Sequence, residues 1–216
     1  MSSPPENPKI YHITHLTNLS KIVSENRLWS HAEMIERGGI EADVAIPHIK
    51  RRRLENSNLS CHPGTRVGQF VPFNFCNRSV MLYIIYKGNH PDLINITNQK
   101  SMVHLEAELH EVVRWADDAK VRWAFTDRNS GCGYFQSFNS VKDLDLLNWE
   151  LIESNDWKNP IVKEAKQAEF LVQSYFPWRL VRRVGVIDES IASKVREIIE
   201  TRPDKPDVIV RLDWYY

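Results

Sequence analysis

The apolar stretches of this chain are short, and this limits its fold before any motif is considered. Ile10–Thr14, Phe70–Cys76, Val80–Tyr86, Val121–Thr126, Phe170–Val172 and Val184–Ile187 are runs of three to seven residues, set apart by polar segments containing Pro and Gly. Lengths of this kind suit the strands of a sheet, and a membrane-crossing helix would need about 20 apolar residues in succession. At 216 residues, 42% hydrophobic and 26% charged, the chain has the size and composition of one soluble domain. The expected organisation is a flexible, proline-rich lead over residues 1–9 and a single domain over 10–216, with no secretory leader and a reducing, cytoplasmic setting.

Periodicity fills in the elements. Ile10–Thr14 reads as a first strand, and Leu19, Ile22 and Val23 recur at helical spacing behind a Thr17/Asn18 cap, ending near Asn26. His48–Leu54 reads as helix. Glu55–Gln69 has no periodicity and reads as a long surface loop. Val80–Tyr86 is buried, as strand or as helix. Leu105, Leu109, Val112, Val113 and Ala116 lie on one helical face, followed by a strand over Val121–Thr126 and a loop over Asp127–Phe135. Ile191, Val195, Ile198 and Ile199 mark a late amphipathic helix, and Val208, Val210, Leu212 and Trp214 alternate as the last strand. Short strands outnumber long helices, and there is no internal repeat.

Several common chemistries are excluded. Gly131-Cys-Gly133 lacks the third glycine of a dinucleotide fingerprint, and no phosphate-binding GxxxxGK[ST] loop occurs. Eight histidines and three cysteines are scattered without metal-ligand spacing, so no metal is expected. The 28 basic and 28 acidic residues cancel, leaving any nucleic-acid contact to a local patch. Such a patch runs from Pro47 to Arg66, where Lys50, Arg51, Arg52, Arg53 and Arg66 face Glu55 alone.

Glu169 heads the apolar run Phe170–Val172, where an ionised carboxylate is costly unless something uses it. On the first strand, alternation puts His12 and Thr14 on one face, able to offer hydrogen bonds to a ligand. Successive helical residues point about 100° apart, so at most one or two of Arg51, Arg52 and Arg53 can face a site. Taken singly, these residues read more often as solvated charges or as a satisfied histidine than as a site.

In combination they resemble the DarT family of bacterial toxins, ADP-ribosyltransferases that modify DNA bases. The likeness is carried by Ile10-Tyr-His-Ile-Thr-His15 with Asn18-Leu19, His48-Ile-Lys-Arg-Arg-Arg53, and Val71-Pro-Phe-Asn-Phe-Cys76 with Arg78-Ser79 and Met81-Leu-Tyr83. It continues through Phe125-Thr-Asp-Arg128, Lys166-Gln-Ala-Glu-Phe-Leu-Val172, Phe176-Pro-Trp178 and Asp213-Trp-Tyr-Tyr216. The resemblance implies an α+β fold, a split mixed β-sheet with surrounding helices and an NAD cleft. It implies NAD as the consumed ADP-ribose donor and single-stranded DNA as acceptor, with thymidine favoured, and a macrodomain antitoxin as partner. Glu169 and Arg53 map to the catalytic positions. His12, Thr14, Asn18, Arg53, Phe73, Asn74 and Met81 map to the NAD side. Lys50, Arg51, Arg52, Arg128, Asn129, Lys163 and Lys166 are the expected DNA contacts, with Trp157 as a base-stacking ring and Glu55–Gln69 helping to hold the strand.

Two positions depart from the family pattern. Asn74 stands where many relatives carry a tyrosine near nicotinamide, leaving Phe73 or Phe75 as replacements only if the strand presents that face. Asn129 stands where thymidine-modifying relatives carry a histidine, and an amide does not titrate near neutrality. Guanine in DNA, a base in RNA, or a single-strand-binding module without turnover remain the alternatives.

Overall fold

A computed structural model describes residues 3–38, 46–88, 90–93, 98–131 and 134–216, so Cys132 and Gly133 of the glycine pair lie outside the described residues. Along the chain run β1 (Lys9–His15), α1 (Leu16–Ser24), β2 (Arg27–Trp29), α2 (His31–Glu36), α3 (Pro47–Glu55), β3 (Phe70–Asn74), α4 (Val80–Lys87), β4 (Met102–Glu108) and α5 (Leu109–Asp118). They are followed by β5 (Trp123–Thr126), β6 (Ser137–Phe138), α6 (Trp149–Glu153), α7 (Pro160–Ala165), β7 (Glu169–Gln173), β8 (Tyr175–Pro177), β9 (Arg183–Val186), α8 (Glu189–Ile198) and β10 (Asp207–Val210). Eight strands form one mixed sheet in the order β10-β9-β4-β1-β3-β7-β5-β6, and β2 pairs with β8 in a separate ribbon. Helices α1, α5 and α8 cover one core, built on Ile10, Leu105 and Val184. A second core joins Leu82 and Ile85 of α4 to Ile13, Met102, Trp214 and Tyr215.

The sheet is split at its centre. β1 and β4 pair over seven positions and β3 and β7 over five, but β1 meets β3 only at Tyr11 and Asn74. The cause lies in Pro72. The N–H and C=O of one strand residue point the same way, and the Pro72 carbonyl turns toward β1, where it accepts a hydrogen bond from His12 Nδ1 at 2.8 Å. Proline has no N–H to complete the ladder on that side, so the two strands part there.

Several local expectations are corrected. Leu105 is not helical: it sits in β4, where Met102 through Ala107 are all buried between covered faces and the period-two pattern is erased. The run Val80–Tyr86 is helix α4, capped by Ser79, whose hydroxyl accepts from Leu82 N at 3.2 Å, and closed by left-handed Gly88. His15, not Thr17 or Asn18, caps α1, and Asn26 at φ 58° turns the chain after it. Leu212 and Trp214 belong to a 3-10 turn beyond β10. Glu55–Gln69 is a packed excursion and not a loose surface loop, because Asn58 and Arg66 bridge and Leu59 and Val67 are buried. No helix among the described residues is long and apolar enough to cross a membrane.

Candidate active site

Helix α3 begins at Pro47, whose fixed φ suits a first turn and whose missing N–H would be unpaired there anyway. Its N-cap Ile46 and its residues Ile49, Lys50 and Arg53 recur at helical spacing, and all four line one cleft. Opposite, β7 opens with Glu169, directly across the ladder from Asn74 of β3. The two meet at the cleft: Arg53 Nη1 donates to Glu169 Oε1 at 2.8 Å, with side chains only 15% and 12% exposed. Arg53 Nη2 is buried and has no acceptor among the described residues. One arm of the guanidinium therefore holds the carboxylate, and the other has no oxygen partner among those residues.

The other carboxylate oxygen is held by a residue with no local signal in the chain. Ser130 is fully buried in the strap between β5 and residue 131; its N–H donates to Glu169 Oε2 at 3.1 Å and its hydroxyl donates to the same oxygen. Thr126 anchors the same corner, accepting from Glu169 N at 3.2 Å and donating to the Arg128 carbonyl at 2.7 Å. Gly131 is required by close approach, since a Cβ there would lie 2.7 Å from the Ile49 side chain.

The cleft encloses about 310 Å³ and lies where β1 and β3 separate. Its lining includes His12, Thr14 and Asn18 of β1 and α1, Val80, Met81 and Ile84 of α4, and Trp29, His31 and Met34. Asn18 Nδ2 donates to Thr14 Oγ1 at 3.2 Å, fixing both. Burial holds the His12 imidazole below its ordinary pKa, partly offset by the Pro72 hydrogen bond, so the ring is neutral near pH 7. With Nδ1 donating to a carbonyl, Nε2 carries the lone pair and accepts. A mostly apolar concavity with a few fixed polar groups is the usual form of a small-molecule site. No group of three or more potential metal ligands gathers among the described residues.

The remaining expected residues divide. Asn74, Met81, Lys50 and Asn129 line the cleft. Phe73 does not: alternation along β3 sends Phe70, Pro72 and Asn74 to the cleft and Val71 and Phe73 to the core, and Phe75 is likewise buried against Trp149. Neither ring replaces the tyrosine missing at position 74. Lys166 is buried, donating from Nζ to the Ile152 carbonyl at 2.6 Å beneath the Trp157 ring, and so cannot meet a phosphate. Trp157 is a packing ring, parallel to Tyr83 and edge-on to Tyr216, away from the cleft. Arg51 is exposed and paired with Glu55, Arg52 donates to the Gly131 carbonyl at 2.9 Å, Arg128 pairs with Asp127 and Glu164, and Lys163 is exposed on α7. Asn129 is engaged at both ends, accepting from Gly131 N at 2.7 Å and donating to Gln167 Oε1 at 2.9 Å.

Comparison with known proteins agrees with this arrangement. The profile of the family described as ssDNA thymidine ADP-ribosyltransferase, DarT, matches residues 11–216. A DNA ADP-ribosyl transferase of Thermus aquaticus is 36% identical over 215 residues, spanning 96% of this chain and 88% of the relative. Thermus sp. 2.9 DarT in complex with ADP-ribosylated ssDNA superposes with a TM-score of 0.87 at 32% identity, covering 100% of this chain and 99% of that one. The same protein in complex with NAD+ gives 0.83 at 30% identity, covering 99% of this chain and 100% of that one. With the split sheet, the cleft and the Arg53–Glu169 pair in place, the chain belongs to the DarT family of NAD-dependent DNA ADP-ribosyltransferases.

Proposed function

We propose that this protein transfers ADP-ribose from NAD to a base of single-stranded DNA, thymidine being the favoured acceptor, as the cytoplasmic toxin of a toxin-antitoxin pair whose partner is a macrodomain protein. The observation that carries the reading is the Arg53–Glu169 pair at the parting of β1 and β3, with a guanidinium nitrogen beside it that has no acceptor among the described residues. The bond between nicotinamide and ribose breaks with its electron pair leaving on nicotinamide, and the sugar becomes oxocarbenium-like. Glu169 stabilises the positive charge that develops, an interaction stronger in the transition state than in the bound substrate. Arg53 presents Nη2 to an oxygen of the substrate, clamping it as a fork of fixed donors can and a point charge cannot. His12 Nε2 accepts from a ribose hydroxyl, and the apolar walls Val80, Met81 and Ile84 keep water from intercepting the sugar. A ring nitrogen of the acceptor base then bonds to the sugar carbon and gives its proton to Glu169.

Guanine is the second reading. Asn129, at the position where thymidine-modifying relatives carry histidine, has its amide tied to Gly131 and Gln167 and offers no imidazole to the base. Mass spectrometry of homopolymeric and mixed single-stranded DNA and RNA, incubated with NAD and the protein, tests the assignment. Adducts on thymidine-containing DNA are expected; adducts on guanine or on RNA alone would move the acceptor, and none on any strand would overturn the transfer.

A further inference from the structure

We propose that Ser130 is a positioning residue that keeps the Arg53–Glu169 pair one-armed, and with it both groups available to substrate. The inference rests on the ADP-ribose transfer proposed above. Arginine and carboxylate side chains in contact commonly close into a two-armed pair. Here the pair is joined through Nη1 and Oε1, at 2.8 Å, while Nη2 has no acceptor among the described residues. What holds Oε2 away is Ser130, whose backbone N–H, at 3.1 Å, and hydroxyl both converge on that oxygen. A buried serine needing only a partner for its hydroxyl is satisfied by one contact; two donors on one oxygen fix the plane of the carboxylate.

Ser130 cannot swing aside, because the strap that carries it is fastened on both flanks. Asn129 donates to Gln167 Oε1 at 2.9 Å, and the Gly131 carbonyl accepts from Arg52 Nη1 at 2.9 Å. The strap thus ties α3, which carries Arg53, to the segment that leads into Glu169. Without the hydroxyl, only the backbone N–H of Ser130 still restrains Oε2, and the carboxylate can turn toward Nη2. The closed pair then withdraws the carboxylate from the sugar and the guanidinium from the substrate oxygen in one movement.

The test is a double-mutant cycle on the full chain, with kcat/KM for NAD measured against single-stranded DNA. Ser130→Ala is expected to lower kcat/KM about 10- to 100-fold in the wild-type background, the loss of a hydrogen bond to a charged group. In a Glu169→Gln background the same change is expected to alter the residual rate by less than about threefold, because the hydroxyl acts through the carboxylate. Equal fold losses in both backgrounds, which a serine needed only for folding would produce, overturn the inference, as does Ser130→Ala activity within threefold of wild type. Failure of the wild-type chain to modify any strand would instead refute the transfer reaction.

Discussion

Replacing Arg53 by lysine separates charge from geometry. On the proposed reaction the guanidinium does two things at once: Nη1 donates to Glu169 Oε1 at 2.8 Å, and Nη2, buried and without an acceptor among the described residues, is left to meet the substrate. An ammonium carries the same charge at a single point, so a lysine that stays with Glu169 abandons the position Nη2 holds. The ion pair survives and the substrate contact is lost. One hydrogen bond to a charged group is worth about 1.5 to 3 kcal/mol, so Arg53→Lys is expected to reduce kcat/KM for NAD about 10- to 150-fold. The assay is steady-state transfer at saturating single-stranded DNA, with a melting curve alongside. The melting temperature is expected to move by no more than a few degrees, since a surviving pair leaves no buried charge uncompensated. Turnover within threefold of wild type would refute the two-armed role, and a collapse of Tm would show that the pair supports the fold and not the reaction.

Three further outcomes follow from other residues. Asn74→Tyr restores an aromatic ring to the cleft beside Glu169 and is expected to lower KM for NAD about 2- to 10-fold, the worth of one ring contact; an unchanged or raised KM contradicts the placement of position 74. Lys166→Ala removes the donor to the Ile152 carbonyl and is expected to lower Tm by about 2–8 °C while leaving the salt dependence of DNA binding unaltered; a shallower salt slope would restore Lys166 as a phosphate contact. Burial lowers the His104 pKa to about 4 from 6.5, against its hydrogen bond to the Asn77 carbonyl, so between those values the unfolded chain binds the extra proton. Stability is therefore expected to fall as pH drops from about 6.5 to about 4, and His104→Gln to flatten Tm against pH in that window; an unchanged profile would contradict it.

How much of this could be read from the sequence depended on whether a residue's neighbours in the chain were also its neighbours in space. Helix α3 was legible because Ile49, Lys50 and Arg53 share a face at local spacing. Glu169 stood out because a carboxylate at the head of an apolar strand breaks a local pattern. β4 was missed where the pattern vanished, since both its faces are buried and Leu105 happens to lie four residues before Leu109. The cleft face of β3 could not be assigned, because Val71 and Phe73 are as apolar as Phe70 and Pro72, and only packing decides which parity meets the ligand. Lys166 and Trp157 looked like a nucleic-acid surface, yet three-dimensional contacts with Ile152 and Tyr83 consume them. Ser130 carried no local signal at all, being defined by an oxygen 39 residues away.

In the proposed reaction Glu169 promotes transfer from NAD to a DNA strand. The most direct measurement follows labelled ADP-ribose from NAD to mixed-sequence single-stranded DNA, with nicotinamide release recorded in parallel, for the wild-type chain and Glu169→Gln. Label on DNA in step with nicotinamide release is expected for the wild type, and a rate about 100- to 1,000-fold lower for the variant, whose amide cannot supply the negative charge. Equal rates for the two chains, or nicotinamide released with no label on the strand, would contradict the proposal.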